Sequence, residues 1–414
     1  MTTGGVTTDV RVPAGVRVPA GVRVPAGFRV GGATAGIKAS GRPDLALFAA
    51  ADGVTLTRAG VFTRNLVFGA PVKWSRARVP SQAAGGVIIN SGNANACTGD
   101  DGDRTAEWMA TQAAAATGCD DPFLVASTGI IGHPLATDGM AAALPGLAAS
   151  LGDSPSDLHA AAEAMMTTDT VAKLAGTAAA AATVAGVAKG AAMIHPNMGT
   201  MLAVVLTDAA LTPDQADRLL RAAVDQTFNR ITIDGHTSTS DTVFLLASGR
   251  AGAVDDAALA PAVTAVCDSL AQAIVRDGEG AGHFVTLTVD GFDSDDAARI
   301  GRAVANDALV KTAITGNDPN WGRIVSACGW SGVAFDPAHL SLHINGTAVF
   351  ADGHPVPYDE AALSSSMAAS NGEPLGRVDL RLTRTPPCPG AVAARFYTTD
   401  LTQEYVRLNS EYTT

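Results

Sequence analysis

Short strand-like runs and helix starts alternate irregularly along this chain, and that order constrains its fold more than any other feature. The strand-like runs are DLALFAA (44–50), VTLTR (54–58), GGVIIN (85–90), DPFLVAS (121–127), ITIDG (231–235), DTVFLLAS (241–248), HFVTLTVDGF (283–292), LSLHINGTAVFADG (340–353) and RVDLRLT (377–383). Asp52-Gly53 separates the first two, which predicts a hairpin there. Ser154-Pro155 and Thr212-Pro213 each pair an N-cap residue with proline at the first helical position, so each opens an amphipathic helix. Further helices are expected near 104–117, 255–276, 295–308 and 358–369. Strands and helices do not repeat as strict βαβ units. The expected class is therefore α+β, a layered fold with mostly antiparallel sheets.

Composition narrows what such layers can serve. At 414 residues the chain suits two domains or one large layered domain, and 47% apolar against 16% charged residues excludes a disordered protein. A net charge of −12 argues against nucleic acid and against an anionic membrane as partners. Cys97, Cys119, Cys267, Cys328 and Cys388 are scattered, odd in number and never form C-x-x-C, which points to free thiols in a reducing cytoplasm. No run is expected to reach membrane-spanning length; the longest candidate, between Lys173 and Lys189, is short and rich in Ala and Gly. The start carries VRVPAG at 10–15, 16–21 and 22–27. Three proline-bearing copies cannot build a β-helix, so residues 1–21 read as a disordered repeat extension.

Individual motifs do not settle the chemistry. DGEGAGH (277–283) resembles a dinucleotide loop, yet a helix precedes it and a strand follows, the reverse of the order that loop needs. Its Glu279 is nonetheless a carboxylate set between glycines, where a ligand could approach the backbone. His339 and His343 fall on the polar side of an alternating run, roughly 13 Å apart on a strand, too far to share a metal. No metal site is expected. No G-x-S-x-G elbow is present. STGIIG (127–132) follows a strand and could offer the Thr128 hydroxyl and Gly129 N–H to a developing oxyanion. MMTTDT (165–170) and DGHTSTSDT (234–242) are hydroxyl-rich, and alone each reads as a solvated loop; SGNANACTG (91–99) and GNDPNWGR (316–323) read as turns. Finally, KGAAMIHPNMGTML (189–202) places Thr200 after a glycine and before an apolar run.

Taken together, NSGNANACTG, ASTGIIG, MTTDT, MIHPNMGTML, DGEGA, GNDPNWGR and the terminal YVRLNSEYTT resemble the ornithine acetyltransferase family of arginine biosynthesis, also called bifunctional glutamate N-acetyltransferases. The resemblance runs from about Phe28 to the end, with the motifs in the same order. It implies an N-terminal-nucleophile-like sandwich that cuts itself between Gly199 and Thr200, giving an alpha chain of 1–199 and a beta chain of 200–414. It further implies acetyl transfer from N2-acetylornithine to glutamate through an acetyl-Thr200 ester in the cytoplasm, by an α2β2 heterotetramer. Thr128 and Gly129 would form the oxyanion hole, and Thr167, Lys189, Thr200, Glu279, Asn409 and Thr414 would contact substrate. No cofactor is implied, with acetyl-CoA a candidate second donor. Rival readings are a self-cleaved amidohydrolase or aminopeptidase of similar architecture and a secondary-metabolism acyltransferase. Two residues depart from the family pattern: Gly199 where alanine is usual, and Ala192 where glycine is usual. The methyl of Ala192 would matter if that position needs a positive φ.

Overall fold

A computed structural model describes residues 22–195, 201–368 and 373–411. The repeat extension 1–21 lies outside the described residues. Val22, the first described residue, is already buried in the core.

Two sheets stack face to face. The first runs in the order β1 (Phe28–Ala33), β2 (Leu45–Ala50), β5 (Val87–Asn93), β6 (Leu124–Ile130). The second runs β4 (Ser81–Ala83), β3 (Leu56–Phe62), β11 (Thr242–Ala253), β9 (Leu202–Ala210), β8 (Ala182–Lys189), β7 (Lys173–Ala179). Alternate residues meet between them: Phe48, Ile89 and Leu124 from the first pack with Val187, Val204 and Leu246 from the second. Residues of opposite parity face outward onto helices. Leu47, Ile88 and Val125 meet the helices Gly99–Thr117 and Asp138–Ser150. Val205, Val243 and Leu245 meet Pro213–Gln226 and Asp256–Arg276. The result is a helix–sheet–sheet–helix sandwich, and burial of both sheet faces explains why runs such as DLALFAA show no polar alternation.

A third sheet follows: β10 (Ile231–Thr232), β17 (Val392–Thr399), β12 (His283–Phe292), β16 (Gly376–Arg384), β13 (Leu340–Ile344), β14 (Thr347–Ala351), β15 (His354–Pro355). Its inner face packs on the helices Ser294–Asn306, Ala308–Thr315 and Trp321–Gly329. In β16 buried Val378, Leu380 and Leu382 alternate with exposed Arg377, Asp379 and Arg381, the pattern of a sheet covered on one side. Ten of the fourteen strand pairings among the described residues are antiparallel, so the layered α+β expectation holds.

Both Pro-led helices form as expected. Ser154 and Asp157, and likewise Thr212 and Gln215, cap each other's backbone N–H groups reciprocally. Other expectations fail for identifiable reasons. Asp52-Gly53 makes no hairpin: β2 pairs with β1 and β5, whereas β3 pairs with β4 and β11, so the turn carries the chain from one sheet to the other. The Ala/Gly-rich run from Lys173 to Lys189 is the β7–β8 hairpin, turning at Ala180 with φ +53°. One helix, Asp256–Arg276, does reach membrane-spanning length and apolarity; it is a core helix, buried against the second sheet. His339 sits in a 3-10 turn before β13 rather than on the strand beside His343. GNDPNWGR contains a helix start, with the Asn320 side chain accepting the Arg323 N–H.

Candidate active site

The site forms where the two stacked sheets end. In the first sheet β5 and β6 run parallel, with Ser91 beside Thr128 and Gly92 beside Gly129. Gly129 has φ +131°, and a Cβ there would lie 2.3 Å from the Gly92 carbonyl carbon, so only glycine fits. In the second sheet the central strand β9 lies between β8 and β11, and Leu202 pairs with Lys189 on one side and Thr242 on the other. Thr200 precedes Leu202 by two residues in the chain.

Lys189 and Thr128 join the two sheets. Both are buried, and the Lys189 ammonium donates to Thr128 Oγ1 at 3.3 Å. An ammonium cannot accept, so the bond occupies a Thr128 lone pair and leaves its O–H free to donate elsewhere. Burial lowers the pKa of Lys189; Asp169, Asp241 and Glu279 oppose that shift, while Lys173 adds to it.

Glu279 follows the helix Asp256–Arg276, and its N–H donates to the Ala191 carbonyl at 2.9 Å, tying it to the loop after β8. Its Oε2 accepts from Asn409 Nδ2 at 2.9 Å, on the C-terminal helix Gln403–Glu411. The adjoining glycine serves that helix. A Cβ on Gly280 would sit 2.4 Å from the Tyr405 nitrogen, so what comes close to the backbone here is the protein itself. Thr167 lies in the turn after the helix Pro155–Met165, its N–H held by Asp169 Oδ2 at 3.0 Å.

Thr128, Gly129, Thr167, Lys189, Glu279 and Asn409 all line one cavity of about 460 Å³. Gly199, Thr200 and Thr414 lie outside the described residues. The chain on either side of the Gly199–Thr200 bond is held by two aspartates. Asp234 accepts the Met193 N–H at 2.6 Å and the Ile194 N–H at 3.0 Å. Asp241 accepts the Met201 N–H at 3.2 Å through Oδ1. Asp241 is fully buried, its Oδ2 has no hydrogen-bond partner among the described residues, and burial raises its pKa well above the usual carboxylate range. Met193 takes a left-handed φ of +56°, whereas Ala192 has no positive φ, so the extra methyl of Ala192 meets no backbone strain.

The sequence reading missed Asp234, Asp241 and Tyr405, whose hydroxyl donates to Asp234 at 3.2 Å. A signal for two of them was present. DGHTSTSDT reads as a solvated loop because it is polar, yet the structure buries Ser238, Thr239, Ser240 and Asp241, and the first three line the cavity. MMTTDT likewise contributes Thr167 and Thr168 to the cavity wall and buries Asp169.

The chain is also similar to known proteins. The chain matches the family model described as the ArgJ family over residues 29–414. It is 44% identical over 397 residues to the arginine biosynthesis bifunctional protein ArgJ of Rhodopirellula baltica, covering 92% of this chain and 94% of that protein. The protein of the same name from Mycolicibacterium paratuberculosis is 45% identical over 391 residues, at 92% and 93% coverage. A solved chain of ArgJ from Bacillus halodurans is similar at 31% identity and a TM-score of 0.46, covering 50% of this chain and 96% of that one. A match over nearly the whole length, with relatives above 40% identity at such coverage, places the chain in the ArgJ family.

Proposed function

We propose that this protein transfers the acetyl group of N2-acetyl-L-ornithine to L-glutamate, the acetyl-recycling step of arginine biosynthesis. The observation that carries the reading is the convergence of Thr128, Gly129, Thr167, Lys189, Glu279 and Asn409, from five separate chain segments, on one cavity. Lys189 supplies a cation for the α-carboxylate that donor and acceptor share, and Glu279 a carboxylate for the side-chain ammonium of ornithine. Relatives that are 41–45% identical are named bifunctional arginine biosynthesis proteins, in line with this chemistry.

The chain first cuts itself. Thr200 Oγ attacks the Gly199 carbonyl, an N→O acyl shift gives an ester, and water releases two chains. The new α-amine has an ordinary pKa of about 7.7–8.0, which suits it to take the proton of its own hydroxyl. Thr200 Oγ then attacks the acetyl carbonyl, and the Thr128 O–H and Gly129 N–H stabilise the oxyanion. Ornithine leaves with the transferred proton, and the glutamate amine attacks the acetyl-Thr200 ester. No cofactor enters these steps. Acetyl-CoA serves as an additional acetyl donor, the working enzyme is an α2β2 heterotetramer, and it works in the cytoplasm.

Incubation with N2-acetylornithine alone should add one acetyl group to the fragment that begins at Thr200, and glutamate should remove it with ping-pong kinetics. Release of free acetate in place of N-acetylglutamate would instead identify a hydrolase. Running the same assay with acetyl-CoA tests the second donor, and the mass of the native assembly tests the heterotetramer.

The electrostatics also predict the pH profile of the donor half-reaction. Thr200's amine must be neutral to act as base, so kcat/KM should rise as pH passes through about 7.7–8.0. Lys189 must be charged to hold the carboxylate. Because burial lowers its pKa, binding should weaken on the alkaline side before an ordinary lysine would titrate. Lys189→Arg keeps a charge across this range. It should move the alkaline limb upward even where the absolute rate falls; an unmoved limb would assign it to another group.

A further inference from the structure

Behind the cavity wall lies an enclosed ion cluster that the transfer chemistry does not touch. Lys173, at the start of β7, is fully buried, and its Nζ donates to Asp169 Oδ1 and to Asp277 Oδ2, each at 2.6 Å. Both carboxylates also reach outward. Asp169 Oδ1 accepts the N–H of Gly190, the residue after Lys189, at 2.6 Å, and Oδ2 accepts the N–H of Thr167 at 3.0 Å. Asp277 accepts the Thr170 N–H at 3.0 Å and the Thr170 hydroxyl, and it stands two residues before Glu279.

Such a cluster is a poor device for stability alone. Buried ion pairs roughly break even against well-packed apolar side chains, because desolvation offsets their attraction. Apolar packing, however, cannot fix the position of a backbone N–H. Here the bonds end on backbone groups at or beside the residues that face the ligand. The charges are self-consistent. Burial disfavours the charged form of Asp169, yet Lys173, Lys189 and the Gly190 N–H outweigh it and hold the carboxyl below its ordinary range. Burial likewise opposes the Lys173 ammonium, and Asp169 with Asp277 more than restores it.

We propose that Asp169, Lys173 and Asp277 are positioning residues that set the separation between the Lys189 ammonium and the Glu279 carboxylate, so that the cavity selects amino acids by the distance from α-carboxylate to side-chain ammonium. This rests on the reading of Lys189 and Glu279 as the two ends of the substrate site. The Asp169 arm fixes the carboxylate end and the Asp277 arm the ammonium end.

The test is competitive inhibition of the matured enzyme by three probes. They are ornithine, 1,4-diaminobutane, which lacks the carboxylate, and norvaline, which lacks the ammonium. Asp169→Asn should lower the preference for ornithine over diaminobutane about ten-fold, and Asp277→Asn the preference over norvaline by a similar factor, the loss expected for one charge-assisted contact. KM for the donor should rise more than kcat falls. Thr170 is solvent-exposed, so Thr170→Val folds readily while removing one bond to Asp277, and it should lower the norvaline ratio in the same direction. A merely structural role would weaken all three inhibitors equally and leave the ratios at wild-type values, which overturns the proposal. If the wild type itself does not prefer ornithine to both analogues, the assignment of Lys189 and Glu279 is what fails.

Discussion

Thr200→Ala is expected to leave a single full-length chain that transfers no measurable acetyl group. In the proposed mechanism the substitution removes the hydroxyl that attacks Gly199, so the chain is not cut. Without the cut there is no α-amine to serve as base, and without the hydroxyl there is no acetyl acceptor. Losing a nucleophile in an enzyme that works through a covalent intermediate costs on the order of 10⁶ in kcat. Fold and stability should change little, because β9 begins after this residue and its pairing with β8 and β11 starts at Leu202. Gel electrophoresis and the mass of the purified protein read the cleavage, and acetyl transfer to glutamate reads the activity. A cleaved, active Thr200→Ala protein would remove Thr200 from the mechanism.

The second large effect is expected at Thr128. Its hydroxyl already accepts from Lys189, which leaves its single hydrogen free for the acetyl oxyanion of the proposed transfer. Removing one such donor costs about 10²–10³ in kcat with little change in ground-state binding. Valine is close to threonine in shape and suits β6, so Thr128→Val should fold. It deprives Lys189 of an acceptor as well, so KM should rise a few-fold. Thr128→Ser restores the hydroxyl and should recover most of the rate. In the proposed self-cleavage the oxyanion would meet the same donors, so the variants must be fully cleaved before their rates are compared. Transfer at the wild-type rate by cleaved Thr128→Val would make Thr128 a turn residue and nothing more.

Much of this site is legible in the amino-acid sequence. Thr128 and Gly129 lie near the end of β6, Lys189 closes β8 ahead of the loop that leads to Thr200, and Glu279 follows the helix Asp256–Arg276. The resemblance assigned their roles, and the cavity brings all of them together. The helix starts at Ser154-Pro155 and Thr212-Pro213 were equally legible, because a cap and its partner lie within one turn of each other. Periodicity and capping are local rules, and they worked wherever the deciding partner was near in sequence.

Where the partner was remote, the sequence was silent or misleading. Asp52-Gly53 has the composition of a hairpin turn, but which sheet β2 and β3 join depends on β5 and β11, far along the chain. Polarity placed Ser238, Thr239, Ser240 and Asp241 in solvent. Burial beside Met201 follows from the parallel pairing of β9 with β11, which no local pattern encodes. Lys173 joins Asp277 across 104 residues, and Asn409 reaches Glu279 across 130. The sequence by itself thus determined the class of the fold, the helix starts and most of the candidate residues that line the cavity. Tertiary structure alone decided sheet membership, the burial of the second aspartate-bearing loop and the ion cluster behind the cavity wall. Strand pairing and charge burial depend on the partners that closure of the whole chain brings near, and a local stretch of residues does not specify them.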